Sequence, residues 1–143
     1  MTNSDNPAAG AQFEIDVADC FRSHGLDLKR GFDADIGVSN IRKSHKFDLG
    51  RSAPLVLVEC KRHTWTKGGN APSAKMSVWN EAMLYFSAVH QKARKILVVL
   101  RSVRRGETLG QYYLKRFQHL IPDDVEIWEF DSETSQGVLI YPL

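Results

Sequence analysis

The sequence predicts an α/β fold in which a central mixed β-sheet is flanked by helices on both faces. Three observations carry this. Leu55–Lys61, apolar up to Glu59, and Ile96–Leu100 are unbroken runs of the kind found in strands covered on both sides. Between them Met76, Trp79, Met83, Phe86 and Val89 recur at helical spacing, predicting a helix over about residues 75–90. A strand–helix–strand crossover of this length joins parallel neighbours, which places the two runs side by side at the sheet centre.

The other elements follow in chain order. Residues 1–10 are polar, with Pro7 and Gly10, and read as a flexible tail before a single domain over residues 11–143. Phe13, Val17, Cys20, Phe21 and His24 mark a helix that Gly25 is placed to end. Short alternations at Phe32, Ala34, Ile36 and Val38, then at Phe47 and Leu49, predict two strands joined by a polar turn around residues 39–44. Residues 64–73 form a Gly/Pro/Asn loop, expected to be mobile. After Leu100, Leu109, Tyr113, Phe117 and Leu120 mark a third helix stopped near Pro122, and Val125–Phe130 and Gly137–Leu143 close the chain as strands.

At 143 residues, 43% hydrophobic and 25% charged, the chain has the composition of one soluble globular domain. No run is long enough to span a membrane and the N-terminus lacks the pattern of a signal peptide, so a cytoplasmic protein without membrane partners is expected. Cys20 and Cys60 sit in apolar surroundings without framework spacing and are expected as reduced thiols. A zinc site from Cys20, His24, Cys60 and His63 conflicts with strand parity and with the apolar stripe around Cys20. No phosphate-cradling glycine motif follows a strand, so no nucleotide cofactor is expected.

The net charge of +2 hides a strong segregation. Residues 1–41 hold 3 Lys/Arg against 7 Asp/Glu, residues 42–116 hold 16 against 4, and residues 117–143 hold none against 6. A basic middle between acidic ends fits a polyanionic partner, or a solvated basic face balanced within the fold. The few acids in the basic stretch, Asp48, Glu59, Glu81 and Glu107, therefore need an explanation.

Leu55, Leu57, Glu59 and Lys61 share one face of their strand, so two charges follow an apolar stretch. Such groups are costly there unless paired, solvated in a cleft or bound to a cation. A hairpin turning near residues 50–54 brings Asp48 beside Glu59. Two adjacent carboxylates repel, and oxygen ligands completed by water, substrate and a backbone carbonyl describe a Mg²⁺ site, with Mn²⁺ as substitute. Lys61 would then offset charge on a phosphate.

Asp48, ten intervening residues, then Glu59-Cys60-Lys61 resembles the PD-(D/E)XK nuclease signature, with Phe47 where that signature has proline. The resemblance implies a restriction-endonuclease-like α-β-β-β-α-β core and metal-dependent hydrolysis of DNA phosphodiester bonds, in restriction, repair or recombination. It assigns Asp48, Glu59 and the Cys60 carbonyl as metal ligands and Lys61 as catalytic lysine. Small Holliday-junction resolvases of this family carry a first-helix Glu at the metal, and Glu14, about 20° from Phe21 on a helical wheel, matches it. Glu81 and Tyr85 have the spacing of the RecB-like Q-x-x-x-Y motif, with Glu replacing Gln.

Arg62, His63, Lys67 and Lys75, with Trp65 among them, are the candidate nucleic-acid-binding residues, and Arg42, Lys43, Lys46, Arg101, Arg104 and Arg105 extend the basic surface. A duplex target implies a homodimer at this size. The rival readings are a catalytically inactive nucleic-acid-binding or assembly subunit of the same fold, and a structural domain with an E-x-K ion pair.

Overall fold

The computed structural model describes residues 6–143. Helix α1 (Pro7–Ser23) begins where Asn6 accepts a hydrogen bond from the Ala8 amide at 3.0 Å and Pro7 supplies a preset first turn. Residues 7–10, expected as tail, are therefore helical. The rest of that expected tail, residues 1–5, lies outside the described residues. At the other end Gly25 takes φ +83°, and the Leu26 and Gly25 amides close on the carbonyls of Phe21 and Arg22.

Strands β1 (Lys29–Ile36), β2 (Lys43–Ser52) and β3 (Leu55–Lys61) form an antiparallel meander. Helix α2 (Ser73–Ser87) then carries the chain to β4 (Arg94–Leu100), which lies parallel to β3. α2 starts two residues before Lys75 and stops three before His90. The chain leaves the helix there because Val89 bridges to Ile36 and the Ala88 carbonyl accepts from the Gly37 amide, fastening the helix end to the tip of β1.

A ribbon of β5 (Val103–Arg104) and β6 (Glu107–Thr108) precedes α3 (Leu109–Phe117), whose N-terminus carries a full capping box of Thr108 and Gln111. A 3₁₀ turn at Gln118–Leu120 leads to β7 (Val125–Asp131) and β8 (Gln136–Tyr141). The six-stranded sheet has the order β1-β2-β3-β4-β7-β8, with β4 parallel to both β3 and β7 and the other pairs antiparallel. The fold is thus α/β, a mixed sheet flanked by helices. No helix among the described residues is long and apolar enough to cross a membrane.

Each face has its own core. Phe47, Leu57, Leu97, Val99 and Ile127 pack against Met76, Trp79 and Phe86 of α2 and Tyr113 of α3. On the opposite face Val56, Val58, Ile96, Val98 and Phe130 pack against Phe13, Val17 and Phe21 of α1. Full burial of side chains this large contributes about 1.5–3 kcal/mol each, before the entropy of ordering them.

One irregularity positions everything that follows. Along β2, Phe47 lies in the α2-side core and Leu49 in the α1-side core, although regular alternation keeps such residues on one face. The partner strand does the same: Arg30 reaches Glu14 of α1, whereas Phe32 packs on the α2 side. Gly31, between them and opposite Asp48 in the register, takes φ +66°, which an L side chain rarely adopts. Both strands change faces at the level of Asp48.

Candidate active site

The Asp48 side chain takes the place of a ladder bond. Backbone pairing of β2 with β3 runs from Ser52–Leu55 to Leu49–Val58. Beyond it the Cys60 amide donates to Asp48 Oδ2 at 2.7 Å, so the strands part around this carboxylate. Asp48 consequently meets carboxyl groups from both sides of the sheet. Glu14 of α1 and Glu59 of β3 each lie close enough for Asp48 to raise their pKa values.

Glu59 is only 4% exposed. Burial, and then the neighbouring Asp48, push its carboxyl up to about 9. Its Oε1 lies 2.7 Å from His45 Nε2. Burial lowers the His45 pKa, so both partners favour their uncharged forms and the contact is a neutral hydrogen bond rather than an ion pair. The His45 ring rests 4.1 Å from the Tyr85 ring and edge-on to Phe47, and Tyr85 is hydrogen-bonded to Glu81. The Glu81–Tyr85 pair therefore reaches the carboxyl cluster through His45.

On the α1 side Glu14 is raised by burial first and by Asp48 second, against the Arg30 guanidinium, which donates to its Oε1 at 3.1 and 3.3 Å. The Cys60 thiol is pushed up by burial beside these acids. It is a free thiol, as is Cys20.

A cleft of about 330 Å³ opens over this cluster, lined by Glu14, Asp48, Cys60, Lys61, His63 and Lys75 among others, with Arg62 also on its wall. Glu59 stands behind Asp48 and does not line it. The structure thus gathers Glu14, Asp48, Glu59 and Lys61, and sets Arg62, His63 and Lys75 around the opening. Lys67 lies apart, exposed on the outer turn of the 64–72 loop.

That loop is fastened, contrary to the expectation of mobility. Trp65 is buried and donates from its indole Nε1 to the Ser102 carbonyl at 3.0 Å and from its amide to Ser102 Oγ at 3.2 Å. The Arg104 guanidinium sits 3.8 Å over the Trp65 ring and donates to the Gly69 carbonyl. Trp65 is therefore no exposed stacking platform, and Arg104 is engaged within the fold. Arg42, Lys43, Lys46, Arg101 and Arg105 are exposed.

Sequence reasoning missed His45 and Arg30. The signal for His45 was its period-two relation to Phe47 on β2. Arg30 becomes visible only once register places it opposite Leu49.

The donor chemistry fits a hard divalent cation: the carboxyl oxygens of Glu14 and Glu59 are gathered around Asp48. Asp48 is the strongest acidic neighbour of both Glu14 and Glu59. Among the described residues no three His, Cys, Asp or Glu side chains surround a point as a ready-made cation cage. The residues suit the ion by their chemistry, without forming a closed cage.

No protein-family model and no curated protein matches the chain. A solved structure that resembles it is a fdxN element excision controlling factor from Anabaena variabilis, with a TM-score of 0.51 and 18% identity. The match covers 90% of this chain and 97% of that one. At this identity the likeness shows the fold alone.

Proposed function

We propose that the chain is a PD-(D/E)XK-type, Mg²⁺-dependent phosphodiesterase acting on DNA in the cytoplasm, as a homodimer on duplex targets. The observation that carries the reading is the Asp48 carboxylate set between Glu14 and Glu59 at the floor of a cleft that Lys61 lines. Glu14, Asp48, Glu59 and the Cys60 carbonyl would hold the cation. When bound, it supplies positive charge to the phosphate and lowers the pKa of water. Lys61 offsets the charge that develops on the phosphate oxygens, and Arg62, His63, Lys67 and Lys75 hold the flanking backbone. A water oxygen forms the new bond to phosphorus as the bond to one ester oxygen breaks. The water yields a proton to solvent and the departing oxygen gains one.

Incubating the chain with plasmid, linear, single-stranded and branched DNA in Mg²⁺, Mn²⁺ or EDTA tests this. Cleavage is expected with either cation and not with EDTA. Asp48→Asn, Glu59→Gln and Lys61→Met are expected to lose cleavage by orders of magnitude while retaining DNA binding. Asp48→Asn keeps the acceptor for the Cys60 amide, so its loss of activity reports chemistry rather than a parted sheet. Unchanged cleavage in Asp48→Asn would remove the assignment.

A second reading, a non-catalytic nucleic-acid-binding or controlling subunit, draws on the basic side chains Arg62, His63 and Lys75 around the cleft and on the neighbour's description as an excision controlling factor. Salt-sensitive DNA binding by the parent without metal-dependent cleavage selects it.

A further inference from the structure

The ribbon that follows β4 turns in two residues, Arg105 and Gly106, because Arg104 pairs with Glu107. Both turn residues have positive φ, +50° at Arg105 and +79° at Gly106, the pattern of a type I′ hairpin. Gly106 suits its place. Arg105 does not: Asn, Asp or Gly is preferred there, and a long L side chain is disfavoured. The turn itself gives no reason for an arginine at its apex, so the reason lies outside the ribbon.

The ribbon stands at the end of the sheet that carries the cleft, since Lys61 of β3 is level with Val99 of the parallel β4, which ends at Leu100. Its base is held firmly. The Ser102 carbonyl accepts from the Leu109 amide and from the Trp65 indole, and the Arg104 guanidinium lies over the Trp65 ring. Glu107, the one acid of the ribbon, is taken up by Lys115 at 2.6 Å and lies 3.9 Å from Arg104. Arg105 is exposed at the tip and makes no ion pair among the described residues. Arg101 differs, because its amide donates to the Phe130 carbonyl and so lies next to Asp131.

We infer that the β5–β6 ribbon is a second DNA contact outside the cleft, with Arg105 on a backbone phosphate of the duplex; this rests on the DNA binding that both readings above share. A guanidinium matches two phosphate oxygens at once, and a ribbon fixed beforehand loses little freedom on binding.

Binding of a fluorescent DNA duplex in EDTA across a salt series tests this, beside thermal melts and the Mg²⁺ cleavage assay. Arg105→Asn places a preferred residue at the apex and should melt at or above the parent's temperature. It should nevertheless bind about 10-fold more weakly at about 0.1 M salt, with the slope of log affinity against log salt shallower by about one unit. Arg105→Lys keeps the charge and should keep the slope. Lys92→Gln removes an equal charge from an exposed site before β4, at the opposite end of the sheet, and should bind like the parent.

Arg105→Asn binding like the parent overturns the inference, as does an equal loss in Lys92→Gln, which would report net charge alone; cleavage by the parent keeps the nuclease reading in both cases. A lower melting temperature in Arg105→Asn assigns the arginine to the fold and overturns it too. A parent that binds with a steep salt slope and never cleaves removes the nuclease reading and leaves the ribbon contact to be decided by the variants' slopes as above. A parent that neither binds nor cleaves removes both.

Discussion

Glu59 shows how one side chain's surroundings become a property of the whole protein. Its carboxyl titrates at about 9 in the fold against an ordinary value of 4.5. Below the lower value it is neutral in both states. Between the two the unfolded chain has released the proton that the folded chain keeps, so stability falls as pH rises through that window. Without added cation the Tm is expected to decline from about pH 4.5 to about pH 9, and Glu59→Gln should flatten that decline. Thermal melts across the range check it; an equal slope in both proteins would mean that Glu59 ionises normally. The acids Glu14, Asp48 and Glu59 were legible in the sequence because charge at the end of an apolar run, or at the edge of an apolar stripe, demands a reason. His45 and Arg30 were not, because their partners lie 14 and 16 residues away, and the period-two relation of His45 to Phe47 gives its face but not its partner.

Among the elements, long periodic segments were the legible ones. β3, β4 and α2 follow from runs of one hydrophobic period and a crossover of suitable length. β5 and β6 have two residues each, too few to show any period. The first turn of α1, Pro7-Ala8-Ala9-Gly10, offers no large apolar residue to mark a period, although Asn6-Pro7 is a readable start signal. The mobility expected of the 64–72 loop rested on its Gly, Pro and Asn content. What decides instead is Trp65, clamped between Ser102 and Arg104 of the β5–β6 region. Arg104→Gln removes the stack and weakens the tie to Gly69, so trypsin is expected to cut after Lys67 several-fold faster while amide exchange in β3 and β4 stays unchanged. Cleavage at the parent's rate would show that Trp65 alone holds the loop.

On the scale of the molecule, the sheet separates two hydrophobic layers that share no buried residue among those described. α/β architecture was readable from the strand runs, and the parallel placement of β7 beside β4 was not, since its connection runs through the β5–β6 ribbon and α3. Nor could sequence show that β1 and β2 exchange faces at Gly31 and Asp48, because a regular strand keeps alternate residues on one face and a single glycine does not announce the exception. A sheet normally insulates the layers on its two sides from each other. Here it has a conducting seam: from Arg30 and Glu14 under α1, through Asp48 in the plane, to Glu59, His45 and Tyr85 under α2. Substitutions on opposite faces should therefore fail to add. Glu14→Gln combined with His45→Gln is expected to depart from additivity in unfolding free energy by about 0.5–3 kcal/mol, whereas Glu14→Gln with Tyr113→Phe, which is off the seam, should add to within about 0.5 kcal/mol. Strict additivity of the first pair in denaturant melts would mean that Asp48 divides the two layers. Non-additivity would mean that an event felt by one helix is registered by the helix across the sheet.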